Sequence, residues 1–181
     1  MITRLAAGDR SALHDLVEHT RDRLYRYLRH LVRSDEAAED ALQEVFVGVW
    51  RSAPAFRGEV SGRVWLYTIA RRQAARTWRR RAGEPADMAP LDDLARAAGF
   101  GGPDPERIAL AAEERSAVQA ALGRLTEDDR EVIVLRDIEG LSGPEAATML
   151  GIEVGALKSR LHRARLRLMA ELRPVGGPWD G

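Results

Sequence analysis

Apolar residues recur at spacings of three and four along most of the chain, the pattern of helices that each bury one face. Leu13, Leu16, Val17, Leu24, Leu28 and Leu31 trace one such stripe, and Leu42, Val45, Phe46, Val49 and Trp50 trace a second. Ser34, standing before Asp35 and Glu36, has the chemistry of an N-cap followed by first-turn acids. Pro54 closes that second helix, and FRGEVSG, residues 56–62, makes a glycine-containing loop. Ser61 is placed to cap a third helix with apolar positions Val64, Trp65, Leu66, Tyr67, Ile69 and Trp78, ending near Gly83. Trp65 and Ile69 are expected in the core, and so is at least one of Phe46 and Trp50, which lie four residues apart. No segment shows the period of two that a strand requires. The pattern predicts an all-α protein.

The pattern breaks between Glu84 and Arg107, where Pro85, Pro90, Pro103 and Pro105 mix with Gly99, Gly101 and Gly102 in a mostly acidic stretch. This reads as a flexible linker with one short helical turn around Leu91 to Ala98. Asp104 and Pro105 have the N-cap and N1 chemistry that starts a new helix. The predicted organisation is two small helical domains, 1–83 and 106–173, joined by a linker at 84–105 and followed by a tail at 174–181. Units this small are marginal alone, which invites a partner to share the stabilisation.

Helix signals crowd the second half. Thr126 is placed to cap EDDREVIVLRDIEG, with Gly140 beyond its end. Ser142 and Glu145 form an S-x-x-E capping box, and Pro144 sits early, where its missing N–H does no harm. That helix is short and ends at Leu150 and Gly151; the next begins within a few residues. Two short helices joined through a glycine describe a helix-turn-helix, with Ala147 small enough for close approach and Gly151 able to take positive φ. In the last helix Val154, Leu157, Leu161, Ala164 and Leu168 form the buried stripe. Lys158, Ser159, Arg160, His162, Arg163 and Arg165 occupy the rest of the circumference. A basic helix is often no more than a solvated face or a membrane-surface segment. The capping box, the glycine turn and the small residue before it favour DNA: the second helix of this motif enters the major groove, where arginine pairs with guanine and other cations neutralise phosphates.

Charge sharpens this picture. The 181 residues carry 28 Lys and Arg against 28 Asp and Glu, yet the balance is an average over opposed segments. Asp35, Glu36, Glu39, Asp40 and Glu44 stand together with no basic residue between Ser34 and Trp50. Between Arg57 and Arg81 eight arginines face Glu59 alone, and six bases face two acids between Glu153 and Arg173. A polyanion-binding protein built this way is invisible to its overall charge. There is no cysteine, which excludes disulfides and thiolate metal sites. The start, MITRLAAGDR, lacks the pattern of a secretory signal, and no apolar run reaches the roughly 18 residues of a membrane span. These features predict a soluble, cytoplasmic protein.

The residues now resemble a known family. LTEDDREVIVLRDIEGLSGPEAATMLGIEVGALKSRLHRARLRL is similar to region 4 of bacterial sigma factors of the extracytoplasmic-function group. AAEDALQEVFVGVW looks like the D-x-x-Q-E-x-F segment of region 2, and FRGEVSGRVWLYTIARRQAARTWRRR like its W-L-Y-x-I-A-R segment. Two motif sets, in order and separated by a variable linker, cover nearly the whole chain. The resemblance implies a dissociable promoter-specificity subunit whose partners are core RNA polymerase, promoter DNA and an anti-sigma factor that wedges between the domains. Its place of work would be the nucleoid, with an anti-sigma partner able to hold it at the membrane. By the same resemblance Asp40, Gln43, Glu44 and Phe46 would dock on polymerase. Phe56, Arg57, Arg63, Arg71, Arg72, Arg76, Arg79 and Arg80 would hold the −10 element, the loop at 56–63 reading a flipped base. Ser142, Lys158, Ser159, Arg160, His162 and Arg163 would take the −35 element. The chain departs from the family's pattern where Arg72 stands for a frequent Asn, Arg76 for a frequent Asp, Thr126 for Pro, Gly143-Pro144 for a Tyr-containing turn and Ala156 for Thr.

Two other function classes compete less well. A free-standing helix-turn-helix regulator leaves the acidic segment and the arginine-rich third helix without a task. An enzyme finds no support: His14, His19, His30 and His162 show no metal-ligand spacing, and GFGG at 99–102 lacks the Lys and Ser or Thr of a phosphate loop. No cofactor, metal or small-molecule substrate is expected.

Overall fold

Local capping chemistry sets where each helix begins. The computed structural model describes residues 1–81 and 105–172, with side chains described through 77 and from 115. Among the described residues there are eight α-helices and no strand. They are α1 (Ile2–Ala6), α2 (Arg10–Val32), α3 (Asp35–Ser52), α4 (Gly62–Arg81), α5 (Pro105–Arg124), α6 (Glu127–Ile133), α7 (Gly143–Leu150) and α8 (Val154–Leu172). A 3₁₀ turn, Ala53–Ala55, ends α3 at Pro54. The all-α expectation is met. The proposed helical turn at 91–98, the Asp104 cap and most of the linker lie outside the described residues.

The first helices are fixed by short-range bonds. Asp9 caps α2, accepting from the Ser11 and Ala12 amides at 2.9 and 3.4 Å. The Ser11 hydroxyl and then the Arg4 guanidinium hold this carboxyl down at about 2. Ser34 caps α3 through the Ala37 amide, and Ser61 caps α4 through the Val64 amide. Helices α2, α3 and α4 pack around Leu24, Leu28, Val45, Val49, Leu66 and Ile69. Gly48 allows the close approach of α3 to α4, since a Cβ there would meet Ile69 Cγ2 at 3.2 Å. Trp65, Phe46 and Trp50 are half-buried against this core, so both α3 aromatics share the boundary where one was expected inside.

The second unit forms around Arg130. Thr126 caps α6 through the Asp129 amide, as its sequence suggests. Four residues on, the buried Arg130 donates to the carbonyls of Leu122 (2.9 Å), Leu125 (3.0 Å) and Gly123 (3.4 Å), closing the bend between α5 and α6. The sequence suggested one regular helix up to Gly140. Instead α6 passes into a π-helical turn, Val134–Ile138, in which the Glu139 amide donates to Val134 O at 2.8 Å. The wider turn redirects the chain after it, and Glu139 is the first residue beyond the turn. Gly140, at φ 65°, completes the reversal.

The two units do not stand apart. A single hydrophobic cluster runs from Leu5 and Leu28 in the first to Leu135, Leu157 and Ala164 in the second, and α4 packs on α7 while α2 packs on α6. Each unit is the other's partner in burying surface.

One titratable group reports on this packing. His30, near the end of α2, is pushed down to about 4 by burial and by Arg29, Arg130 and Arg26. Its folded value lies below the unfolded 6.5, so the stability it contributes is complete above that pH and is lost as pH falls towards 4. Wild type is therefore expected to lose about 2 kcal/mol more stability than His30→Gln between about pH 7.5 and pH 5. Denaturant titrations of both proteins at the two pH values check this.

Candidate nucleic-acid interface

The helix-turn-helix follows from its caps. Ser142 Oγ accepts from the Glu145 amide at 3.3 Å while the Glu145 carboxylate accepts from the Ser142 amide at 2.9 Å and its hydroxyl at 2.7 Å. Those bonds hold the Glu145 carboxyl below its ordinary range, the Ser142 amide contributing most. Gly151 ends α7 at φ 67°, and the Ile152 amide returns to Ala147 O at 3.1 Å. Leu157, Leu161 and Ala164 of α8 are buried, which turns the opposite face outward.

That outward face holds two kinds of cation. Lys158, Ser159, His162 and Arg163 are exposed. Arg160 has a side chain only 29% exposed and pairs with Asp128 at 3.5 Å. Arg165 forks onto Asp137 at 2.9 and 2.5 Å, and Arg167 bonds Asp129. The pairs anchor α8 to α6 and to the π-helical turn after it, and the exposed set remains to meet a ligand. The Ser142 hydroxyl is committed to the capping box.

In the first unit the arginines divide in the same way. Arg57, Arg72 and Arg76 are exposed, the first beside Gly58 at φ 75°. Phe56 leans on Trp65 with ring centroids 5.1 Å apart. The side chains of Arg79 and Arg80 lie outside the described residues. Arg63 and Arg71 face the second unit. Arg71, Arg72 and Arg76 line a cleft of about 290 Å³ whose far wall is Glu127 and Glu131. On α3, Asp40, Gln43 and Glu44 are exposed on one face, with Phe46 half-buried to the side. Val47, three residues beyond Glu44 and 40% exposed, extends that face and was missed in the sequence, where it reads as one more apolar residue of a core helix.

The larger omission from the sequence reading is a set of acids on the second unit. Glu139 is only 3% exposed. Its carboxylate accepts from Arg23 Nε at 3.1 Å and the Tyr67 hydroxyl at 2.5 Å, and its backbone carbonyl accepts from Arg23 Nη2 at 3.2 Å and from Arg63. Arg63 also lies 5.7 Å over the Tyr67 ring. Burial and then the bond to Glu139 push the Tyr67 hydroxyl well above its ordinary value. Glu131, also buried, takes a bidentate pair from Arg71 at 2.7 and 3.2 Å. Burial raises the Glu131 carboxyl, and Arg71 opposes that rise. The Ser61 hydroxyl reaches Glu145 Oε1 at 3.4 Å, and Arg130 reaches Leu31 O at 3.5 Å. Nothing in the local sequence marks Glu131 and Glu139, because their partners lie 60 or more residues away.

Among the described residues no group of three or more His, Cys, Asp and Glu side chains is arranged to hold a metal, and no helix is long and apolar enough to cross a membrane.

Comparisons with known proteins place this geometry. Residues 16–84 match sigma-70 region 2, and residues 115–168 match sigma-70, region 4. The chain is 36% identical over 162 residues to the ECF RNA polymerase sigma factor SigM of Mycobacterium tuberculosis, a match spanning 90% of this chain and 78% of the relative. It is 34% identical over 176 residues to the RNA polymerase sigma factor CnrH of Cupriavidus metallidurans, covering 95% of this chain and 92% of that one. The solved structure of CnrH in complex with the cytosolic domain of CnrY superposes with a TM-score of 0.69 at 29% identity, over 94% of each chain.

Glu139 should be the larger contributor to stability at the contact between the units. Glu139→Ala leaves Arg23 and Tyr67 without their acceptor and is expected to lower stability by about 3 kcal/mol. Tyr67→Phe, which keeps the ring, should lower it by about 1 kcal/mol. Equilibrium denaturation of the two variants checks the order.

Proposed function

Because the chain belongs to the extracytoplasmic-function sigma factors of bacterial RNA polymerase, we propose that its exposed surfaces divide the work of promoter recognition between the two units. As a member of that family it is an alternative sigma factor, binding core RNA polymerase and directing promoter recognition and initiation. The finer assignment is by surface. Asp40, Gln43, Glu44 and Phe46 dock on core polymerase: three exposed polar side chains offer charge and hydrogen bonds, and the half-buried ring with Val47 offers an apolar anchor. Lys158, Ser159, Arg160, His162 and Arg163 on α8, with Ser142 fixing the start of α7, read duplex DNA at the −35 element. Phe56, Arg57, Arg63, Arg71, Arg72, Arg76, Arg79 and Arg80 hold the separated −10 strand, the cations on phosphates and the loop around Phe56 against an unstacked base.

The observation that carries this reading is the pairing of two matched regions, 16–84 and 115–168, with an exposed basic face on the recognition helix of the second. The chain performs no bond-making of its own in this reading; binding energy directs and opens DNA, and polymerase supplies the chemistry. It works in the cytoplasm, at the nucleoid. An anti-sigma protein is a fitting further partner, since the related CnrH was solved bound to the cytosolic domain of CnrY.

Co-elution with core RNA polymerase on a sizing column tests the docking surface. Wild type is expected to co-elute and Glu44→Lys to lose at least tenfold in affinity, about 1.4 kcal/mol. Co-elution of Glu44→Lys at wild-type affinity would remove that face from the interface. A folded wild-type chain that does not co-elute would favour a free-standing DNA-binding regulator.

A further inference from the structure

One element has no part in the surfaces assigned so far. Helix α1 lies outside the matched region at 16–84, and at five residues it is too short to be stable by itself. Packing and polar bonds hold it in place. The Arg4 guanidinium donates to Asp9 and Ser11 at 2.9 Å and to Asp15 at 3.5 Å, which ties α1 to the start of α2. The helix also meets both ends of the loop at 56–62. At the entry it packs on the 3₁₀ turn Ala53–Ala55, where Leu5 and Ala53 are buried and the Phe56 amide donates to Ala53 O at 3.0 Å. At the exit Ile2 Cδ1 fills the space beside Gly62, and a Cβ on that glycine would collide with it. The backbone at Gly62 does not itself call for glycine, since its φ is not positive. Ile2 stands where a side chain of residue 62 would go.

We propose that α1 is a positioning element for base reading: by packing on both ends of the loop at 56–62, above all through Ile2 on Gly62, it holds the loop in the shape that accepts an unstacked base. This rests on the assignment of that loop to the −10 strand. Between its ends the loop is open, with Arg57, Gly58 and Glu59 exposed, so its path is set where it is anchored. One anchor is the Phe56 ring, which leans on Trp65 with centroids 5.1 Å apart. The other is α1. The two tasks of the loop differ in the error they tolerate. A long, flexible arginine still reaches a phosphate when the loop drifts, and that contact carries no sequence information. A base is told from its alternatives by hydrogen bonds that weaken steeply with distance and angle, so the groups that read it must be held to within about 0.5 Å. Loosening α1 therefore separates the two tasks: base preference fades while affinity for the strand stays.

Changing Ile2 tests this without altering any residue proposed to touch DNA. The full chain is assembled with core RNA polymerase and offered single-stranded DNA randomised over about 12 nucleotides. Retained strands are sequenced, with core polymerase alone as the background. Wild type should favour one base at one position by about tenfold. In Ile2→Asn, which removes the apolar contact with Gly62, that preference is expected to fall to about twofold, with total retention of the library within about twofold of wild type. Ile2→Leu, still branched and apolar, should keep a preference of about tenfold. Unchanged preference in Ile2→Asn would overturn the proposal, and so would equal losses in the two variants or retention that drops in step with preference. Phe56→Ala separates the two ideas. A wild-type preference that Phe56→Ala abolishes and Ile2→Asn spares means that only the positioning role has failed. A wild-type holoenzyme with no preference beyond that of core polymerase means that the −10 assignment has failed, and the proposal falls with it. Should Ile2→Asn not fold, as circular dichroism will show, Arg4→Ala unties α1 from α2 at an exposed site. It is then expected to lower the preference about threefold; wild-type preference would overturn the proposal equally.

Discussion

A carboxylate out of water requires donors, and the arrangement of this chain depends on how Glu139 finds them. Removed from solvent at the end of the π-helical turn, it would be expensive in an unpaired state. Its own unit does not satisfy it. The partners come from α2 and α4: Arg23, Tyr67 and, on the backbone carbonyl, Arg63. Burying Glu139 and bringing the units together are therefore one requirement. Glu131 on α6 repeats it with Arg71, and Arg130 adds a bond to Leu31 O. Apolar contact between the units supplies the attraction, and these polar pairs fix which face meets which.

Charge neutrality acquires a physical meaning here. The chain's equal numbers of acids and bases are sorted by the fold. Asp128, Asp129 and Asp137 steady α8 by holding Arg160, Arg167 and Arg165, leaving Lys158 and Arg163 exposed. Glu131 and Glu139 face the arginine-rich α4. Asp40 and Glu44 on α3 are exposed. A protein that must bind a polyanion on one surface and polymerase on another cannot leave every cation bare without repelling itself and binding DNA at random. Pairing some of them internally limits both.

What could be read in advance divides along the range of the interaction. Helix starts at Ser34, Ser61, Thr126 and Ser142 rest on bonds spanning three residues, and all four were legible. So was the turn at Gly151, where a left-handed backbone favours glycine. The stripe Leu157, Leu161 and Ala164 followed from periodicity, and with it the outward direction of Lys158 and Arg163. Positions set by distant partners were not legible. The acids of EDDREVIVLRDIEG look like a solvated helix, and only contact with α2 and α4 makes Glu131 and Glu139 buried. The π-helical turn has no local sequence mark. Phe46 and Trp50 share one boundary of the core, where spacing alone placed at least one of them inside. The five-residue α1 is too short for periodicity to mark it.

The central claim is that the two units of the free chain rest against each other in one defined arrangement. Since the chain has no cysteine, Arg51→Cys and Ala170→Cys place two labels on exposed sites, one in each unit. The distance distribution between spin labels there, measured by double electron–electron resonance on the unliganded protein, is the most direct test. A single narrow distance that broadens when Glu139 is replaced by Ala is the predicted result. A broad distribution in the wild-type chain, unchanged by that substitution, would contradict it.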